Sequence, residues 1–170
     1  FRPYLWQRDN VIRNGSFEEG LSGWEYEAST SPVQFGPIIS SIHFGQSALF
    51  MNYFSAISQT VFLSPTLHRP TLAFMTDSRG SIQVSITDGV SKTVLYPEYD
   101  IDKPISPILH WVDVSPWQGR NITISLRVYD NTNILDDVTL SSWNTPVVSD
   151  VSSRLIQARD VATSITISGT

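Results

Sequence analysis

Alternation of apolar and polar residues limits the fold of this chain more than any other feature. From Ile122 to Val128 every second residue is apolar, which is the period of a β-strand with one buried face. Further segments have similar strand-like patterns, and polar turns separate them. The predicted strands cover residues 10–13, 24–28, 48–53, 57–63, 71–76, 82–86, 92–96, 110–114, 122–128 and 134–140. About ten short strands predict an all-β fold, an antiparallel β-sandwich of the jelly-roll kind.

Composition excludes several classes of function. A chain of 170 residues predicts one domain. Its formal net charge is −5 and its 11 basic residues are scattered, which argues against a nucleic-acid partner. No apolar run approaches the ~20 residues that a membrane-spanning helix needs. The absence of cysteine excludes a thiol nucleophile and a thiolate zinc site.

No catalytic motif is present in the sequence. His43, His68 and His110 are far apart and have no metal-ligand spacing, and there is no HExxH, GxSxG or Walker motif. His110 precedes core-like residues and is predicted to be a hydrogen-bonded structural histidine. The paired glutamates at 18–19 and at 25 and 27 are predicted to serve fold motifs or to face solvent. We therefore expect a non-catalytic protein.

Four short motifs follow one another along the chain. They are NVIRNGSFE at residues 10–18, GW at 23–24, GQSAL at 45–49 with ISQTV at 57–61, and ILDDVTL at 134–140. In this order they resemble carbohydrate-binding modules of the galactose-binding-like jelly-roll superfamily, of families four, nine, sixteen and twenty-two. The resemblance covers residues 9–143, between an N-terminal extension (1–8) and a C-terminal extension (144–170). It is more specific for the fold than for a ligand.

Asp136 is the residue of these motifs that most needs an explanation. Simple alternation puts it on one strand face with Ile134, Val138 and Leu140, and the three apolar side chains should point inward. A carboxylate among them is costly unless it is paired or binds a cation. Two alternatives stay open, a hydrogen-bonded Asp136 without metal and a metal ligand.

The family resemblance implies that this carboxylate belongs to a structural calcium site. In the resembling modules an early glutamate, a backbone carbonyl of the GxxSL loop and a late aspartate meet around the ion. The matching positions here are Glu18, Gly45 and Asp136. Calcium takes six to eight oxygen ligands, including backbone carbonyls.

The resemblance also implies a polysaccharide or glycan partner. Sugars are held by aromatic rings that stack on their C–H faces and by planar polar groups that bond their hydroxyls. The candidate side chains for this contact are Tyr26, Tyr53, Tyr96 and Trp111. Phe17 and Trp24 are predicted to be core anchors instead, and Gln59 is predicted to satisfy backbone groups near the sandwich edge.

The C-terminal extension contains one more alternating segment. Val161, Thr163, Ile165 and Ile167 predict a strand with one face that requires burial. It pairs either with its own domain or with a neighbouring copy, as in donor-strand filaments. The second possibility predicts a self-assembling structural subunit of a filament, surface layer or appendage. Both readings predict an extracellular or cell-surface protein.

Overall fold

The computed structural model describes residues 9–27, 34–37, 46–52, 54–76, 82–97, 108–129, 133–143, 148–151 and 167–169. Most of the described chain is extended, as its β-branched and alternating residues predict. One 3-10 turn lies at Ser115–Trp117. The strands are β1 Glu25–Glu27, β2 Gln34–Pro37, β3 Ser47–Met51, β4 Ala56–Phe62, β5 Pro70–Thr76, β6 Ile82–Thr87, β7 Lys92–Pro97, β8 Ile108–Asp113, β9 Asn121–Val128, β10 Asn133–Ser142, β11 Val148–Val151 and β12 Ile167–Gly169.

Two five-stranded antiparallel sheets form a β-sandwich. Sheet A has the strand order β1-β4-β9-β6-β7, and sheet B has the order β2-β3-β10-β5-β8. The interior lies between them, where the apolar residues of β9 that set the alternation are all fully buried. Each such aliphatic side chain contributes about 1.5–3 kcal/mol when it is removed from water. The prediction of an all-β antiparallel sandwich is confirmed.

The first described segment closes sheet B against the last strand of the sandwich. Val11 N donates to Leu140 O at 2.9 Å, and Val138 N donates to Gly15 O at 2.9 Å. Asn10 adds a side-chain bond, since its Oδ1 accepts from Leu140 N at 2.9 Å. The segment predicted as a strand at residues 10–13 is not a regular strand. Its backbone nevertheless lies along β10, on the side where the pairing of β3 with β10 has ended.

A bulge in β10 overturns the strand face predicted for Asp136. The register of β10 against β5 shifts between Asp136 and Thr139, and Asp137 between them has a positive φ of 54°. Leu135, and not Ile134, is therefore fully buried with Val138 and Leu140. Asp136 lies opposite Met75 and shares its face. One inserted residue exchanges the two faces of a strand, so simple alternation failed here.

The C-terminal residues that are described form a separate two-stranded sheet. β12 pairs antiparallel with β11 of the same chain, with Ile167 opposite Val151. The other residues of the predicted assembly strand, Val161, Thr163 and Ile165, lie outside the described residues. Strands β2 and β11 were not predicted, because the short segments QFGP and VSDV are too brief to show a period.

Candidate functional site

Asn14 organises the loop that precedes β1. Its backbone is left-handed, with φ 48°, a conformation that asparagine tolerates better than most residues. Its Nδ2 donates to Gly20 O at 2.9 Å and to Ser22 O at 3.1 Å, and its Oδ1 accepts from Glu19 N at 3.2 Å. The NGSFE motif therefore folds its own loop into a fixed shape.

Two aromatic rings anchor this loop in the core. Phe17 is fully buried, Trp24 is nearly so, and their ring centroids lie 5.7 Å apart. Trp24 Nε1 donates to Asn14 O at 3.1 Å, so the polar atom of the indole is satisfied as burial requires. The prediction that both rings are core anchors is confirmed.

Gln59 on β4 fixes the backbone of Arg13. Arg13 N donates to Gln59 Oε1 at 2.9 Å, and Gln59 Nε2 donates to Arg13 O at 3.0 Å. Gly23, with φ +81°, packs close by, since a Cβ there would lie 3.5 Å from Arg13 Cβ. Gln59 thus satisfies backbone groups at the sandwich edge, as predicted, and it positions the exposed Arg13 side chain.

A surface cavity of about 370 Å³ lies beside this clamp and is lined by β4, by Glu25 of β1, by Gly23 and by the 11–13 segment. Its size is in the range of small-molecule sites. The walls carry a guanidinium, a carboxylate, two hydroxyls and an exposed ring. The residues that carry these groups are Arg13, Glu25, Ser58, Thr60 and Phe62. We call the cavity together with these five residues the groove.

The outer face of sheet A extends the groove with further hydroxyl groups. Glu25 lies opposite Ser58, Ser58 opposite Ser125, and Ser125 opposite Ser85, so these four residues form one row across four strands. In a neighbouring row, Thr60 Oγ1 is hydrogen-bonded to the hydroxyl of Thr123 at 2.8 Å. Ser58 and Ser125 are half-buried and Ser85 is buried, so the accessible hydroxyls of this row are those on β4 and β9.

A second cluster of aromatic and polar side chains lies at the start of β4, at the opposite end of the strand from Phe62. The Phe54 and Tyr129 rings meet edge to face at 6.2 Å, and Tyr129 OH donates to Gln83 Oε1 at 2.9 Å. Arg127 forms an ion pair with Glu27. Because a strand rises ~3.3 Å per residue, the length of β4 separates this group from Phe62 by roughly 20 Å.

The four aromatic residues predicted to bind saccharide are not brought together. Tyr26 lies opposite Ile57, on the inward face of β1, and packs half-buried against the core. Trp111 lies on β8 of the other sheet and is 61% exposed. Tyr96 belongs to β7, with its side chain outside the described part of the chain, and Tyr53 also lies outside it. Their saccharide contacts remain a prediction.

The predicted calcium ligands lie where three segments of sheet B meet. The pairing of β3 with β10 stops at Leu135, and the 11–15 segment takes over at Val138. Asp136 and Asp137 lie in this break and are fully buried. Glu18 reaches the start of β3 from the other segment, because its Oε1 accepts from Gln46 N at 2.7 Å and from Ser47 N at 3.2 Å.

The junction offers carboxylate oxygens, which calcium prefers, and Asp136 Oδ1 also accepts a hydrogen bond from Asp137 N at 2.7 Å, so a calcium site here remains a prediction. Two adjacent buried carboxylates are costly when ionised, and a divalent cation offsets that cost. Within the described ranges, no group of three or more His, Cys, Asp and Glu side chains is placed to hold a metal. A calcium ion here would therefore use backbone carbonyls besides Glu18 and Asp136, as calcium sites often do. Gly45, the predicted carbonyl ligand, lies outside the described residues.

Comparison with solved structures identifies the fold. The module TmCBM61 in complex with β-1,4-galactotriose matches with a TM-score of 0.60 and 21% identity, over 79% of this chain and 99% of that one. The CBM22-1 xylan-binding domain of Paenibacillus barcinonensis Xyn10C matches with a TM-score of 0.53 and 15% identity, over 75% and 90%. The chain has the jelly-roll fold of carbohydrate-binding modules. The resemblance seen in the sequence motifs is thereby confirmed at the level of the fold.

The same fold also occurs in a protein of another kind. The enzymatically active domain of tailspike protein 4 of bacteriophage CBA120 matches with a TM-score of 0.58 and 16% identity, over 78% of this chain and 21% of that one. Neither a protein-family model nor a curated protein matches the sequence. The fold alone therefore does not assign the function, which must be argued from the surface groups.

The one described histidine on a strand has a structural environment. His110 is buried, its Nε2 is hydrogen-bonded to Thr76 Oγ1 at 2.8 Å, and its ring stacks on Phe74 at 4.8 Å. This matches the prediction for His110.

In the part of the chain that is described, no helix has the length and apolar character to cross a bilayer.

Proposed function

We propose that this protein is a non-catalytic saccharide-binding module and that the outer face of sheet A holds the saccharide chain. The observation that carries the proposal is the groove. It combines an exposed ring with a guanidinium, a carboxylate and hydroxyls in a cavity of about 370 Å³. Neutral sugars present flat C–H faces and many hydroxyls, and these are the groups that such a lining recognises.

Each wall of the groove has a distinct task in this proposal. The Phe62 ring, 53% exposed, offers a face for the C–H side of a sugar. Arg13 donates to sugar oxygens, and Glu25 accepts from sugar hydroxyls. Because Gln59 holds both backbone groups of Arg13, that wall is pre-organised. Pre-organisation strengthens binding, since less conformational freedom is lost with the ligand.

The extended face favours a chain over a single sugar. Hydroxyl-bearing residues continue from the groove onto β9, at Thr123 and Ser125, and the Phe54–Tyr129 pair lies at the far end of β4. A ligand of several sugar units has room along the roughly 20 Å between the two aromatic ends. The module TmCBM61 and the xylan-binding domain, which share this fold, supply the first ligands to try: β-1,4-galactotriose and xylan fragments.

Binding to polysaccharide affinity gels and titration calorimetry test the proposal. Arg13→Ala should weaken binding about tenfold or more, because a hydrogen bond to a charged group is worth roughly 1.5–3 kcal/mol. Phe62→Ala should have a similar effect, because burial of an aromatic side chain is worth about 1.5–3 kcal/mol. Val90→Ala is the control, since Val90 is 94% exposed in the β6–β7 turn and does not line the groove. Unchanged affinity in both groove variants would refute the proposed site.

We further propose that calcium binds at the junction of Glu18 and Asp136 and stabilises the closure of sheet B. Calcium should raise the melting temperature of the metal-free protein, because a ligand that binds only the folded state stabilises it. Glu18→Gln should abolish this rise. Glu19→Gln, at the neighbouring exposed position, should leave the rise intact. A calcium effect that Glu18→Gln leaves unchanged would contradict the assignment.

The proposed saccharide partner implies that the module acts outside the cell or at a cell surface. The alternative of a self-assembling subunit remains a prediction that depends on residues 161–168. Among these, Ile167 pairs with β11 of its own chain. A change from large particles to monomers on deletion of residues 145–170, measured by light scattering, would favour assembly over the binding module alone.

A further inference from the structure

Two tryptophan rings stack on the outer face of sheet B, away from the sheet A residues of the groove; Trp111 is exposed and Trp143 is half-buried. The ring centroids of Trp111 and Trp143 lie 6.4 Å apart, and the ring planes are 27° from parallel. Trp111 is 61% exposed. A large aromatic residue loses the free energy of burial when it stays in water, so this surface needs an explanation that folding does not provide.

The backbone holds the pair in place. Trp111 lies on β8 opposite Ala73 of β5. Trp143 follows β10, and its N–H donates to His68 O at 3.0 Å and to Arg69 O at 3.2 Å. Both rings therefore come from segments that flank β5. Their separation is set by the sheet and its loop.

The neighbours of Trp111 on this face of sheet B are buried, since Thr71 is 8%, Ala73 2%, Thr139 2% and Ser141 5% exposed. On β5 and β10 the residues that share the face of Trp111 are small, and four of them form two register rows beside it. These four residues are Thr71, Ala73, Thr139 and Ser141. The exposed aromatic surface at this point is therefore that of the rings, above all of Trp111, and we call the two stacked rings the platform.

A carboxylate borders this platform. Asp113 lies two residues after Trp111 on β8, opposite Thr71, and its Oδ1 accepts from Ser115 N at 2.8 Å. The hydrogen bonds from the side chain and the backbone of Ser115, the largest causes, and the nearby Arg69 charge hold the pKa of Asp113 below its ordinary value. The group is thus an ionised acceptor at neutral pH, suited to hydroxyl donors.

The size of the platform favours a sugar over a protein partner. Two tryptophan rings bury at most about 500 Å², whereas a stable protein interface needs ~800 Å² from each partner. A net charge of −5 disfavours polyanionic ligands. A neutral saccharide fits the two rings, the carboxylate and the area available.

We propose that Trp111, Trp143 and Asp113 form a second saccharide-binding surface, so that one module binds two saccharide chains on its opposite faces. The inference rests on the proposed function, since it assumes that the groove binds the first chain. The outer faces of the two sheets point away from each other across a core ~10 Å thick. One module can therefore cross-link two chains.

Calorimetry on the whole chain with xylohexaose and with β-1,4-galactotriose tests this inference. The wild type should bind two ligands per molecule. Trp111→Ala should reduce this to one, with the affinity of the remaining site unchanged, and Trp111→Phe should retain part of the second site. Because Trp111 is exposed, its replacement should leave the melting temperature nearly unchanged, which separates lost binding from lost folding. The groove variant Arg13→Ala should weaken only the other site, by about tenfold or more.

Other results would overturn the inference in distinguishable ways. If the wild type binds one ligand, and Arg13→Ala weakens that binding while Trp111→Ala leaves it unchanged, the second surface is refuted and the groove stands. If the wild type binds one ligand, and only Trp111→Ala abolishes that binding, the groove is refuted as a binding site and so is the two-chain arrangement. No binding of either sugar by the wild type would overturn both proposals. Self-association that Trp111→Ala abolishes, without any effect on sugar, would assign the platform to a second copy.

Discussion

Replacement of Gly15 by alanine tests how tightly the first segment packs on the last strand of the sandwich. A Cβ at Gly15 would lie 1.8 Å from Val138 O and 3.2 Å from Ile12 Cγ2. Ordinary contact begins near 3.4 Å, so the carbonyl would have to retreat by about 1.6 Å. The obstacle is backbone, which cannot move aside as a flexible side chain does. The same movement would disturb the Val138 N to Gly15 O hydrogen bond of 2.9 Å.

The expected cost of Gly15→Ala is about 2–4 kcal/mol of unfolding free energy. Overpacking contributes about 1–3 kcal/mol, and the disturbed hydrogen bond adds about 1 kcal/mol. For a chain of this size each kcal/mol lowers the melting temperature by about 2–4 °C. The variant should therefore melt about 5–15 °C below the wild type, by circular dichroism or calorimetry.

Gly20 provides the matched control for this substitution. Gly20 has φ +64°, and no atom lies within 4 Å of the position that a Cβ would take there, so only backbone conformation opposes a side chain. Gly20→Asn should cost less than Gly20→Ala, since asparagine tolerates the left-handed region. At Gly15 the order should reverse, because asparagine is larger. A Gly15→Ala variant within about 0.5 kcal/mol of the wild type would refute the close packing described here.

Two further predictions concern single polar side chains. Gln59→Leu should lower the unfolding free energy by about 2–3 kcal/mol, because both backbone groups of Arg13 lose their partner. Gln59→Glu keeps only the acceptor, so its unfolding free energy, measured by urea denaturation, should lie between those of the wild type and Gln59→Leu. The backbone N–H groups of Ser91 and Val90, and the Arg120 guanidinium, hold the pKa of Asp88 below its ordinary value. The stability that Asp88 adds is therefore present above pH ~4 and lost as pH falls through the lowered pKa. Asp88→Asn should flatten the decline in melting temperature on acidification, and an unchanged decline would contradict this.

The sequence predicts the sandwich well because most of its strands obey a simple alternation. In β9 each apolar residue from Ile122 to Val128 is buried, and the turn after β6 places Gly89 at φ 85°, a conformation that Asp-Gly hairpin sequences favour. Prediction fails where one residue breaks the period. The bulge at Asp137 exchanges the faces of β10, and nothing in ILDDVTL reveals which residue is inserted.

The site is harder to predict than the fold, because an aromatic residue does not reveal which face it occupies. Tyr26 satisfies every compositional criterion for a saccharide contact, yet its pairing with Ile57 turns it towards the core. The outward residues of β4, such as Phe62, follow from alternation within ISQTVF and could have been found by it. Arg13 could not, since only the tertiary contact with Gln59 brings it to the groove.

The bonds that join the 9–15 segment to β10 also bear on how the molecule is made and used. Ser142 N donates to Asp9 Oδ2 at 3.2 Å, so the two ends of the sandwich lie side by side. During synthesis the 9–15 segment cannot form its hydrogen bonds to β10 until more than a hundred later residues have been added. Contacts between residues so far apart in sequence predict slow folding. Neighbouring ends also let such a unit be spliced into a surface loop of another protein, with little distortion of either partner.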